Sequence, residues 1–167
     1  MKTLSDYIEI KEIKEISEGL KIGAKSKVNT KSYKPKNKQE LKDIIKTLLD
    51  ERGYNADLTD IDTSEITDMS HLFDNGKFLN FDGDISNWDV SNVTNMKDMF
   101  AVSDFTGNNG DISGWDVSNV ENMEEMFWRC KKLNIDINNW DVSKVTNMKN
   151  MFMYTPFKSR PDWCKIK

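Results

Sequence analysis

Histidine is nearly missing from this 167-residue chain, which holds one, and most general acid–base and imidazole-metal chemistry is missing with it. That residue, His71, has no His-x-x-x-His partner, and neither a glycine-rich phosphate loop nor a Gly-x-Ser-x-Gly turn occurs. Cysteine is scarce too. Cys130 and Cys164 are too few for a disulfide framework and too far apart for a zinc knuckle, so free thiols are expected, with Cys130 a buried apolar filler. No apolar run reaches the length of a membrane span. The opening MKTLSDYIEIKEIKEISEGL places Asp6, Glu9, Glu12, Glu15 and Glu18 where a signal peptide needs an apolar stretch, which favours a cytoplasmic or virion-associated protein over a secreted one. No cofactor and no metal is expected.

Positive charge is short in one part only. Residues 1–56 carry 13 basic and 9 acidic side chains, residues 57–167 carry 11 and 19, so the two parts stand at +4 and -8. A region at -8 repels phosphate backbones, which makes nucleic acid a poor ligand for it.

What the chain has in abundance is repetition. WDVSNVTNMKDMF at 88–100, WDVSNVENMEEMF at 115–127 and WDVSKVTNMKNMF at 140–152 share one frame, and IDTSEITDMSHLF at 61–73 fits it as an atypical first unit. Starts at 61, 88, 115 and 140 give spacings of 27, 27 and 25, and Pro161-Asp162-Trp163 opens a truncated further unit. Such a period marks stacked structural units. From the first apolar residue to the closing Phe the distance is constant at 12, while the stretch to the next Trp varies between 11 and 15. The first stretch therefore reads as packed and the second as a loop edge.

The recurring apolar positions form the expected core: Trp88, Trp115 and Trp140; Met96, Met123 and Met148; Phe100, Phe127 and Phe152. One unit alone would leave them facing water on both open ends, so neighbouring units must supply the cover. The expected fold is an α/β repeat solenoid of short leucine-rich-repeat-like coils. Extended segments around Asp-Ile-(Ser/Asn)-x-Trp-Asp-Val would make a small parallel sheet, and short helical turns would follow over Asn-Met-x-x-Met-Phe. Asp89, Asp116, Asp141, Asn95, Asn122 and Asn147 are read as stacked polar side chains that satisfy buried amides.

Upstream, Asn37-Lys38-Gln39-Glu40 reads as a capping box, with Leu41, Ile44, Ile45, Leu48 and Leu49 at helical spacing before Gly53. A helix from Lys38 to Arg52 that caps the first coil is expected. The organisation is thus an amphipathic N-terminal helix at 1–18, a basic linker at 19–36, a capping helix at 37–56 and the repeat region at 57–167, with units near 61, 88, 115 and 140 and a partial one at 163.

The phrase F-x-G-D-I-S-N-W-D-V-S-N-V-T-N-M-K-D-M-F resembles the BspA-like class of bacterial leucine-rich-repeat surface proteins, over about residues 57–167. That repeat is also abundant in lipoproteins of wall-less bacteria and in some phage genomes. The resemblance implies a solenoid with a small sheet on one face and a role in adhesion or other protein contacts. The front end faintly resembles the capsid-targeting peptides of internal proteins in T-even-type tailed phages, which are cut after an aliphatic-x-Glu sequence that Ile16-Ser17-Glu18 fits.

The expected function is a non-enzymatic protein–protein interaction module with a protein partner. The alternatives are a phage-encoded virion-internal or injected protein and a bacterial surface adhesin. Trp128 and Tyr154, which follow Met-Phe where the second unit has Ala101, are the candidate partner-binding residues. His71 aligns with Asp98, Glu125 and Asn150 and reads as an exposed polar residue rather than a catalyst. Asp82-Gly83-Asp84 and Asn109-Gly110-Asp111 hint at calcium, but the third unit offers Ile135-Asp136, so turns are expected there.

Overall fold

A computed structural model of the protein describes residues 33–74, 76, 78–156 and 160–165. The expected helix at 1–18, the linker up to residue 32 and the Ile16-Ser17-Glu18 sequence lie outside the described residues.

Helix α1 spans Lys38–Arg52. Its start is fixed by the Asn37 side chain, which accepts the Glu40 N–H at 3.0 Å, while Glu40 Oε2 accepts the Lys36 N–H at 3.1 Å. It stops at Gly53, whose φ of 81° only glycine adopts freely and whose N–H reaches the Leu49 carbonyl. Leu41, Ile44, Ile45, Leu48 and Leu49 bury one stripe of the helix in the common core. Lys38 Nζ bonds Asp68 Oδ2 and Ser70 Oγ at 2.7 and 2.8 Å, and Arg52 grips the Asp60 carboxylate and the Asp57 carbonyl. The helix therefore lies across the first coil from end to end.

The expected α/β solenoid with a parallel sheet does not form. Among the described residues there are one α-helix, one 3-10 turn at Asp162–Lys165 and no strand. Pairing between coils is reduced to isolated parallel bridges, Tyr33–Ile61, Asp57–Asp84 and the column Asp68–Asn95–Asn122–Asn147. The reason lies in how the amides are divided. From Met96 onward, the N–H groups of Met96, Asp98, Phe100 and Val102 donate to the Asn122, Glu124, Met126 and Trp128 carbonyls of the next coil at 2.7–2.9 Å. The intervening Met99, Ala101 and Ser103 fold back on Met96, Asp98 and Phe100 at 3.1–3.2 Å. A strand would leave the intervening amides for a second neighbour, and a helix would send every amide back along its own axis. This segment does half of each, so it becomes a run of turns stitched to the next coil.

The same division removes the expected helical turns over Asn-Met-x-x-Met-Phe. The second x is left-handed in every unit, at His71, Asp98, Glu125 and Asn150, with φ of 54–56°. A left-handed residue ends right-handed helix. A second left-handed column follows at Val102, Arg129 and Tyr154, with φ of 56–60°. Val102 is β-branched and the least suited to it. Val102→Asn is expected to raise stability by about 1 kcal/mol, because asparagine tolerates this region with less strain; a thermal melt that moves downward would mean that the valine side chain contributes more packing than its backbone costs.

The polar constants also act differently from expectation. Asp89, Asp116 and Asp141 accept the N–H of Ser91, Ser118 and Ser143, two residues on, at 2.9–3.1 Å. Asn95, Asn122 and Asn147 do the same for Lys97, Glu124 and Lys149. These are local Asx turns rather than a side-chain stack. Most side-chain bonds between coils come from other residues, Asn92 and Asn119 donating to the Ser64 and Ser91 carbonyls 28 residues back, and of these constants the Asn147 amide reaches Glu124 Oε2 of the preceding coil at 3.3 Å.

Two columns hold the interior. Trp88, Trp115, Trp140 and Trp163 each donate the indole N–H to a carbonyl of the preceding coil, those of Leu58, Ile85, Ile112 and Ile137, at 3.0–3.3 Å. Phe73, Phe100, Phe127 and Phe152 stack face to face with centroids 5.4, 5.6 and 5.7 Å apart and planes within 6°. Coils come close enough for this because a Cβ on Gly83 would collide with the Ala56 carbonyl oxygen, and one on Gly110 would lie 2.8 Å from the Ile85 nitrogen. In the third unit Ile135 takes that column and turns its side chain against Gly107.

Candidate functional site

The residues read as core lie where a shared interior needs them. Trp88, Trp115, Trp140, Met96, Met123, Phe100, Phe127 and Phe152 are all buried, and Met148, in the last full coil, is only partly so.

Chemistry has little to work with among the described residues. Cys130 is a free thiol buried against Phe100 and Ser103, its S–H directed at the Phe100 carbonyl at 2.8 Å. Burial pushes its pKa up to about 12, so it offers no thiolate nucleophile near neutrality. His71 Nδ1 lies 2.7 Å from Asp74 Oδ2, and its Nε2 is 3.8 Å from Asp98 Oδ2. The imidazole sits between two carboxylates, and neither is a nucleophile oriented for acyl or phosphoryl attack. No group of three or more His, Cys, Asp or Glu is arranged to hold a metal among the described residues. The Asp82 carboxylate is used by Thr106 and Asn109, and Asp84 and Asp111 each accept the N–H two residues on. Their Gly neighbours serve the close approach of coils.

The column that contains His71 shows one strained ionisation. Burial raises the Asp98 pKa above the ordinary carboxylate value; His71 works against that rise and Glu125 adds to it. A raised folded-state pKa means that the charged form destabilises the fold, so this site favours folding at low pH and loses that advantage as pH rises through the folded value. Asp98→Asn is therefore expected to gain on the order of 1 kcal/mol at pH 8. The gain should shrink toward pH 3.5 in urea titrations, and a gap independent of pH would remove charge burial as its cause.

The most exposed large apolar groups away from the helix end gather at one edge. Tyr154 is 64% exposed and Met153 38%, while Trp128 is half-buried. Trp128 and Tyr154 do not share a column. Trp128 follows its Phe by one residue and aligns with Ala101 and Met153; Tyr154 follows by two and aligns with Val102 and Arg129. Arg129 joins the two columns, with its guanidinium carbon 4.4 Å from the Trp128 ring centroid and 5.4 Å from that of Tyr154. The left-handed backbone at Arg129 and Tyr154 sets both side chains off the same rim of the stack. Stacking on two rings holds the cation and covers apolar area at once.

The sequence pointed to the two aromatics as candidates and not to Arg129, which the structure places beside both rings. The available signal was the unit length: 25 residues separate Arg129 from Tyr154, the period of that unit, which makes them neighbours across the coil interface. The resulting edge is an aromatic–arginine plate with methionine beside it, residue types that are enriched at protein interfaces in general. No helix among the described residues is long and apolar enough to cross a membrane.

A family model described as "Mycoplasma protein of unknown function, DUF285" matches residues 39–163. No curated protein and no solved structure matches the chain.

Proposed function

The chain belongs to the DUF285 family, whose model takes in helix α1 and the repeat stack together, and we propose that it is a non-enzymatic binding module for another protein. The observation that carries this reading is the Trp128–Arg129–Tyr154 plate, with exposed Met153 beside it, at one rim of the stack. Tyr, Trp and Arg are the residues in which interface binding energy concentrates, and here the Arg129 N–H donates to the Met153 carbonyl at 3.0 Å, which fixes the two coils against each other beneath them. A finer reading makes the chain kin to the BspA-like repeat surface proteins, with adhesive contact as the role. The kinship is supported by the F-x-G-D-I-S-N-W-D-V-S-N-V-T-N-M-K-D-M-F phrase and by the DUF285 match, and the adhesive role follows from the kinship alone.

Affinity capture from lysate of the native host with the intact chain, beside its Arg129→Ala and Tyr154→Ala variants, tests the reading. Each variant should lose roughly tenfold or more of the captured partner, the effect of a hot-spot truncation, with its thermal midpoint nearly unchanged. Equal capture by all three proteins would place the binding surface elsewhere.

A further inference from the structure

Trp128 differs from the four tryptophans that open the repeat units. Each of those donates its indole N–H to a carbonyl of the preceding coil, whereas the Trp128 indole N–H has no acceptor among the described residues. Arg129, next in the chain, shows the same contrast with another arginine. Arg52 closes on the Asp60 carboxylate with two N–H groups at 2.9 and 3.1 Å, while no acceptor meets the Arg129 guanidinium among the described residues. Two rings flank that guanidinium, with centroids 4.4 and 5.4 Å from its carbon. Stacking occupies the faces of a guanidinium and leaves the N–H groups at its edge to bond in its own plane. One carboxylate that accepts two parallel N–H bonds is the group such an edge fits best.

The local charge points the same way. Residues 126–135 contain Arg129, Lys131 and Lys132 and no acid, inside a region whose net charge is -8. Lys132 is paired with Asp104 at 3.2 Å, and Lys131 is exposed with no ion pair among the described residues. The cation sits within the stack and not at an end of it: Val102 of the second coil precedes it in its column and Tyr154 of the fourth follows. A nucleic-acid strand needs a basic groove along its backbone, and the surrounding negative charge repels one. An acidic side chain of a protein segment meets only this local island of positive charge.

We propose that the plate selects an Asp or Glu side chain of a partner protein, bound in the plane of the Arg129 guanidinium, with Lys131 adding attraction. This rests on the reading that the plate is the binding surface, and it supplies the chemistry that the surface recognises.

The probe is a yeast-displayed library of random twelve-residue peptides, selected on the intact chain. Recovered peptides should carry Asp or Glu at one position several-fold more often than the unselected library. Glu→Gln at that position should weaken binding roughly tenfold by fluorescence anisotropy. Arg129→Lys, which keeps the charge and loses the paired N–H edge, should weaken it by a similar factor, and selection on Arg129→Glu should recover Lys or Arg at that position instead. Arg129 is exposed, and circular dichroism checks that each variant keeps its fold. Peptides that need Arg129 but carry no acid would overturn this proposal and leave the plate as the binding surface. Acid-bearing peptides that bind Arg129→Lys at full strength would also overturn it, since general charge attraction would then suffice. Recovery of no peptide, or of peptides that bind Arg129→Ala equally well, would remove the proposal and the binding reading together. Stronger binding of a random single-stranded oligonucleotide at Arg129, or a dimer that Arg129→Ala disperses, would assign the plate to another occupant and refute the choice of partner.

Discussion

Trp115→Ala is expected to lower the free energy of unfolding by about 3–5 kcal/mol, the usual result of emptying a core aromatic site. Two effects add at this position. The indole is buried between the second and third coils, and its N–H satisfies the Ile85 carbonyl at 3.3 Å. Alanine leaves a cavity and removes one of the two hydrogen bonds to the Ile85 carbonyl, which keeps the Trp88 N–H at 3.1 Å. Trp115→Phe separates the two, since it keeps most of the ring volume and removes only the donor; a loss of about 0.5–1.5 kcal/mol is expected from the one hydrogen bond, because the Ile85 carbonyl still accepts the Trp88 N–H. Urea unfolding followed by circular dichroism measures both. If Trp115→Ala costs under about 1 kcal/mol, the interior is not continuous through this column.

Phe127→Ala should be as damaging, about 3–5 kcal/mol, and should also change how the protein unfolds. The ring stacks on Phe100 at 5.6 Å and on Phe152 at 5.7 Å, with Trp140 at 6.5 Å, so one side chain belongs to two coil interfaces. A repeat stack holds together through nearest-neighbour contacts. Removing this ring should release the last coil first. The amides of Met151 and Met153 are then expected to lose exchange protection at lower denaturant than those of Leu48 and Leu49 in α1. Phe127→Leu, which fills most of the space without a ring, should recover all but about 1–3 kcal/mol, the share of two lost stacking contacts. Uniform loss of protection along the chain would show that the coils are coupled more tightly than nearest-neighbour contacts allow.

Helix α1 was readable because its signals are local. Asn37, Glu40 and Gly53 mark the ends, and Leu41 to Leu49 carry a 3.6-residue period that holds in any context. The Trp, Met and Phe columns were readable because repetition announces which positions must bury. Backbone conformation within the coils was not. Asn-Met-x-x-Met-Phe has apolar spacing compatible with a helical turn, and nothing in Lys97-Asp98 or Glu124-Glu125 announces a left-handed residue. The candidate edge divided the same way: Trp128 and Tyr154 stand out as large apolar residues beyond the repeat frame, while the cation that joins them becomes visible only when consecutive coils are laid one over the other.

Sequence alone thus determined the repeat period, the first helix, the residues that share the interior and the small supply of catalytic groups, since each follows from composition or from spacing along one chain. Tertiary structure decided that the described residues of the coils form no sheet, that the tryptophans bond as well as pack, and that Arg129 lies beside two rings. These depend on where a backbone amide finds its acceptor, and for half of the amides from Met96 to Ser103 that acceptor lies in the next coil, about one period away in sequence and about 3 Å away in space.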